Sequence, residues 1–120
     1  MYRLNGEMST LSDEHLYDRL VSALQTRRAD EIPGIGGKAR YKISKVLKPS
    51  GVSFTRVSTS TAWQISKEDW LAVLAFVKKA GQSGFDTGSL KRANLVFKKQ
   101  SPTIAFLLAS GLASRACLPG

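Results

Sequence analysis

Between Ile32 and Lys67 the chain carries seven basic side chains, Lys38, Arg40, Lys42, Lys45, Lys48, Arg56 and Lys67, and no carboxylate. The stretch opens on a glycine turn, Pro33-Gly34-Ile35-Gly36-Gly37. Charge of one sign over such a length attracts polyanions, and turn glycines let backbone N–H groups approach phosphate oxygens closely. The chemistry these residues support is phosphate binding, and nucleic acid is the first partner it implies. A P-loop is excluded: Ala39 stands where a Ser or Thr is needed for magnesium, and Ile32 takes the place of the first glycine.

The elements that must position these residues are read from periodicity and caps. Ser12 followed by Asp13 and Glu14 starts a helix whose stripe is Leu16, Leu20, Val21 and Leu24 and which runs to about Arg28. After the glycine turn, Ala39, Ile43, Val46 and Leu47 fall on one side at helical spacing. Lys38, Tyr41, Lys42, Lys45 and Lys48 lie opposite, so the spacing predicts a basic helix over 38–47, ended by Pro49-Ser50-Gly51. Val52 to Val57 and Ala62 to Ile65 alternate as the strands of a hairpin with its loop at Ser58 to Thr61.

Ser66 and Asp69 cap a strongly apolar helix (Trp70, Leu71, Val73, Leu74, Val77) closed by Lys78-Lys79 and Gly81, the expected centre of the core. Ser89 to Lys99 reads as helix, or as strand through Asn94 to Lys98. Ser101-Pro102 reads as an N-cap followed by proline at the first helical position, for a helix over Thr103 to about Leu112. Residues 1–11 and 114–120 are expected to be loose.

Ile32-Pro33-Gly34-Ile35-Gly36-Gly37-Lys38-Ala39-Arg40-Tyr41-Lys42-Ile43 resembles the hairpin and second helix of the helix-hairpin-helix DNA-binding motif, over about residues 29–47. The resemblance implies that the turn Gly34, Ile35, Gly36 presents N–H groups to a phosphate backbone, with Lys38 and Lys42 as flanking contacts. The order helix, basic helix, hairpin, helix is also loosely similar to a winged-helix domain. Arg56 and the hydroxyls Ser58 to Thr61 would then sit on the wing.

Further candidate contacts are Gly37, Arg40, Tyr41, Lys45 and Lys48, and a third basic group formed by Lys91, Arg92, Lys98 and Lys99. In a helix, Lys91, Arg92 and Asn94 have the types that read base edges, although phosphate contact is the safer inference. Trp63, in phase with Ile65, reads as core rather than as a platform for bases.

The charge is +9 and uneven: residues 1–31 hold six acids against four bases, and the remainder three acids against fourteen bases. The acidic part reads as the solvated back of the molecule. The acids after residue 31 are Glu68, Asp69 and Asp86, too scattered for a metal-dependent nuclease, and the lone His15 reads as a surface residue, so no metal or cofactor is expected. The one cysteine, Cys117, cannot form an internal disulfide. The apolar run Ile104 to Ala113 is broken by Ser110 and Gly111 and is too short to span a bilayer; with no apolar leader, a cytoplasmic or nucleoid-associated protein is expected.

The sequence thus predicts a small, helix-dominated α+β single domain over residues 1–120. It is read as a binding protein for nucleic acid, duplex DNA favoured over RNA, and as a candidate module of a DNA-processing or regulatory protein. A metal-independent ribonuclease-type toxin and an RNA- or ribosome-associated protein are the competing readings. Oligomeric state is not legible.

Overall fold

The computed structural model describes residues 1–28 and 30–115. Ala29, Cys117 and the remainder of the tail lie outside the described residues. The elements are β1 (Tyr2–Leu4), α1 (Asp13–Gln25), β2 (Glu31–Pro33), β3 (Arg40–Leu47), β4 (Gly51–Arg56), β5 (Thr61–Ile65), α2 (Lys67–Ala80), α3 (Thr87–Arg92), α4 (Gln100–Ala109) and β6 (Ala113–Arg115), with short 3-10 turns at Gly6–Thr10 and Gly81–Ser83. The fold is α+β, as the sequence predicts. An antiparallel meander in the order β2-β3-β4-β5 carries helices on one face, and β1 pairs with β6 in a separate two-stranded ladder.

Alternation decides which face of the meander is covered. Ile32, Tyr41, Ile43, Val46, Val52, Phe54 and Ile65 are buried, while Arg40, Lys42, Lys45, Ala62 and Gln64 on the other face are exposed. α1 and α2 pack against each other and on the inner face of the sheet, and α4 packs against β2 and α1. α4 is buried from Pro102 to Leu107, more completely than α2, so α4 rather than α2 is the most enclosed helix. Its one buried polar group, Thr103, is satisfied because its hydroxyl donates to the Lys99 carbonyl at 2.7 Å. Phe54, Phe106 and Tyr41 meet edge-on, with ring centroids 4.8 to 5.9 Å apart.

Two of the expected caps form: Ser12 Oγ accepts from the His15 N–H, and Ser66 Oγ from the Asp69 N–H, the latter without the return bond from the Asp69 side chain that a capping box would add. The β4–β5 hairpin also forms. The chief correction concerns residues 38–47. They are not a helix; Arg40–Leu47 is β3, a central strand paired on both sides.

A register shift between Ile43 and Lys45 leaves Ser44 unpaired, so Ile43 and Val46 face the core three residues apart. A bulge in a strand therefore imitates helical spacing. Exposed Leu47 breaks the supposed apolar stripe, and Tyr41, expected beside the lysines, is buried on the opposite face. The basic helix that both family resemblances require is thus a strand.

Smaller corrections follow the same logic. Within the segments expected to be loose, residues 2–4 and 114–115 are strand: β1 pairs with β6, and Tyr2 also bridges to Phe85. α4 begins at Gln100 after Lys99, so Ser101 lies within the first turn and does not cap it, with Pro102 at the third position. The helix expected across Ser89 to Lys99 covers only Thr87–Arg92, capped by a reciprocal pair between Asp86 and Ser89; Asn94 lies beyond it at φ 59°.

Tyr17 and Tyr41 give the fold an alkaline limit. Burial, reinforced by Asp18, Glu14 and Glu68, raises the Tyr17 hydroxyl above its ordinary 10.0. Burial raises Tyr41 as well, with Arg56 opposing. Both groups titrate higher folded than unfolded, so their contribution is complete below pH 10 and is lost as pH rises through the folded values. Denaturant melts should show stability falling above about pH 10, less steeply in Tyr17→Phe; a slope unchanged by that substitution would assign the loss to other groups.

Candidate nucleic-acid interface

The turns joining β2 to β3 and β4 to β5 lie at the same end of the meander, tied together by the Val57 N–H donating to the Arg40 carbonyl at 2.9 Å. Here Lys38 from the first turn, Arg56 from the end of β4 and Lys98 from the segment before α4 line a cavity of 340 Å³. Gly34, Ile35 and Gly36 form one wall, and Gln100 and Ser101 in the first turn of α4 form another. No carboxylate among the described residues lines it. The ion pairs among the described residues, Arg27–Asp30, Lys48–Asp18, Lys67–Glu14 and Lys78–Asp13, use none of these three cations. Cations converging on one hollow repel each other, and an anion between them relieves that repulsion.

Backbone and hydroxyl groups add donors. The Gly34 N–H donates to the Ala39 carbonyl at 2.7 Å and the Gly37 N–H to the Gly34 carbonyl at 3.1 Å, leaving the N–H groups of Ile35, Gly36 and Lys38 without a backbone acceptor among the described residues. The first turn of α4 has no side-chain cap; the Thr103 N–H donates to the Lys99 carbonyl and Pro102 has no N–H, which leaves the N–H groups of Gln100 and Ser101 at the positive dipole end without an acceptor among the described residues. Tyr41 is 6% exposed and lines the cavity, and its hydroxyl has no hydrogen-bond partner among the described residues. Burial raises that hydroxyl above its ordinary 10.0, with Arg56 opposing, so at neutral pH it is protonated, as any tyrosine is, and can donate.

The glycine turn is therefore retained in a different setting, as a β-hairpin connection. Left-handed backbone occurs at Gly37, φ +79°, rather than at Gly34 or Gly36. A Cβ on Gly34 would come within 3.0 Å of the Ala39 carbonyl, whereas one on Gly36 meets nothing within 4 Å.

The sequence-named residues divide by location. Lys38, Tyr41, Arg56 and Lys98 meet at the cavity. Arg40, Lys42 and Lys45 stand on the exposed face of the sheet beside Ser53, Thr55 and Gln64; Lys42 is opposite Thr55 on one side and Glu31 on the other, and Lys45 is opposite Ser53. The bulge keeps Lys42 and Lys45 on one face despite their odd spacing.

Lys48 is at the far end, 3.3 Å from Asp18. Lys99 donates to the Gln64 carbonyl at 2.6 Å, and Lys91 and Arg92 are exposed on α3 without lining the cavity. Trp63 is half-buried against the core, and His15 is exposed. Sequence reading missed Gln100 and Ser101 as site residues: the helix start was visible, but not its approach to a turn more than sixty residues earlier. No group of His, Cys, Asp or Glu among the described residues could hold a metal ion, and no helix among them is long and apolar enough to cross a membrane.

Comparison with protein-family models, curated proteins and solved structures found no match to this chain.

Proposed function

We propose that this protein binds nucleic acid through its phosphates, with duplex DNA the favoured form. The cavity at the turn end of the sheet would grip one phosphate, while Arg40, Lys42 and Lys45 on the open face follow the backbone beyond it. The observation that carries this reading is the convergence of Lys38, Arg56 and Lys98 on one acid-free cavity, without ion partners among the described residues. Arg40 and Tyr41 are neighbours on β3 and face opposite sides, so a backbone passing over the end of the sheet meets both surfaces. The cavity lining offers cations, N–H groups and hydroxyls but neither carboxylate nor imidazole to take up a proton, which favours binding over cleavage.

Affinity for duplex DNA and for structured RNA of equal length, measured across salt concentrations, tests the proposal. Binding should weaken steeply with salt, and DNA should be preferred. Salt-independent binding would remove the phosphate assignment, and a preference for RNA would move the reading to an RNA-associated protein. Gly36→Val tests the turn itself. The added side chain has open space around its Cβ and no left-handed backbone to strain, so melting temperature should hold while affinity falls. Wild-type affinity in that variant would show that the turn is only a connector.

A further inference from the structure

We propose that the segment at residues 93–99, together with the cavity beside it, recognises an unpaired nucleotide: its phosphate lies among Lys38, Arg56 and Lys98, and its base stacks on Phe97. The proposal rests on the phosphate-binding reading and specifies the part of a nucleic acid that this site takes.

Phe97 is 76% exposed, against 41 to 44% for the other exposed large apolar side chains, Met1, Leu47 and Val57. An aromatic ring left in water forgoes burial that the core nearby offers, so its position needs a cause. The backbone supplies evidence that the position is imposed. Asn94, Val96 and Lys98 adopt φ values of 59°, 44° and 62°. Left-handed backbone is disfavoured for any side chain and is an outlier for a β-branched one such as Val96.

Surrounding bonds hold these conformations. The Leu95 N–H donates to the Leu90 carbonyl at 3.0 Å, the Lys99 N–H to the Val96 carbonyl at 2.7 Å, and Gln100 Nε2 to the Leu95 carbonyl at 3.2 Å. The outcome is that Val96, 5% exposed, is turned into the core and Phe97 outward. Strain of this kind persists where surrounding structure over-determines it, and it clusters at ligand sites.

Position then links the ring to the phosphate cavity. Lys98, the next residue, lines that cavity, and its Nζ lies 5.5 Å from the Phe97 ring centroid. An aromatic face beside a cationic hollow matches the two parts of a nucleotide, since every base presents a π-face and every nucleotide carries an adjacent phosphate. Inside a duplex both faces of a base are covered by its neighbours and its edges are held in the pair, so the nucleotide that can place its base on the ring and its phosphate in the cavity is an unpaired one. An exposed ring among lysines also suits an anionic lipid surface. The nucleotide is favoured because the cavity is concave, of single-ligand size at 340 Å³, and is lined by Tyr41, whose ring is packed in the core, features that a flat headgroup layer does not require.

The test uses the whole protein with labelled duplexes of one sequence, blunt or carrying a short unpaired tail with a terminal phosphate, and with vesicles of anionic phospholipid. Wild type should prefer the tailed duplex. Phe97→Ala should lose about tenfold in affinity for the tail, with blunt-duplex affinity and melting temperature unchanged, because the ring is exposed. Phe97→Trp should retain the preference. Salt-sensitive binding that ignores the tail, or an alanine variant weakened equally on both duplexes, would overturn this inference and leave phosphate binding intact. Binding to no oligonucleotide would overturn both. Loss of vesicle binding in Phe97→Ala, with oligonucleotide binding unaltered, would reassign the ring to a lipid surface.

Discussion

Replacing Lys38, Arg56 and Lys98 together with glutamine is expected to lower nucleic-acid affinity about a hundredfold and to shallow the logarithmic salt dependence by roughly one unit for each phosphate that is no longer neutralised. The figure follows from charge-assisted hydrogen bonds, discounted because Lys38, Arg56 and Lys98 are exposed. Folding should be unaffected, since the described residues offer these side chains no ion partners. Lys48→Gln is the informative control. Lys48 belongs to the same acid-free stretch of sequence, yet it sits at the other end of the sheet with Asp18 at 3.3 Å. If Lys48→Gln weakens binding as much as the triple substitution does, the interface follows total charge rather than the cavity.

That contrast marks where the sequence stopped being legible. Local signals carried far: Ser12 and Ser66 cap the helices they announce, the hairpin turns at Val57 to Ser60, one residue before the expected Ser58 to Thr61, and Trp70 is fully buried. Such features depend on residues a few positions apart, where side-chain chemistry dictates backbone geometry directly. The helical pattern over Arg40 to Leu47 came from a bulge. A single unpaired residue at Ser44 changes the interval between core positions from two to three, and the interval of three belongs equally to a helix. Only pairing with β2 and β4 distinguishes strand from helix here, and pairing is a long-range property.

The candidate site was half legible for the same reason. Charge composition singled out Lys38, Arg56 and Lys98 as candidates for phosphate contact, since an uncompensated cation is recognisable by type. Their convergence was not legible, because it depends on α4 placing its first turn against the glycine hairpin. Phe97 was not legible at all. Its type and spacing suit a buried helix position beside Leu90 and Ala93, and only the left-handed residues on either side of it turn it outward.

The largest effect on stability is expected from Gly51→Ala. Gly51 opens β4 at φ +103°, a backbone conformation that side chains rarely adopt, and it is buried. A Cβ there would collide with the Ile65 carbonyl oxygen and come within 2.9 Å of the Ser66 backbone. Those neighbours are main chain, held in the β4–β5 ladder and at the start of α2, so no side-chain rotation can relieve the clash. Relief would require parting the sheet from the helix that Ser66 caps. Backbone strain and overpacking each cost about 1–3 kcal/mol, giving roughly 3 kcal/mol or more in combination, against a total stability on the order of 5–15 kcal/mol for a domain of this size. Denaturant melts should show the midpoint falling far more than for Gly36→Val, whose added carbon is unobstructed. A Gly51→Ala protein as stable as wild type would mean that β4 approaches the β5–α2 junction more loosely than these distances require, and with it that the strand carrying Arg56 to the cavity is less firmly anchored.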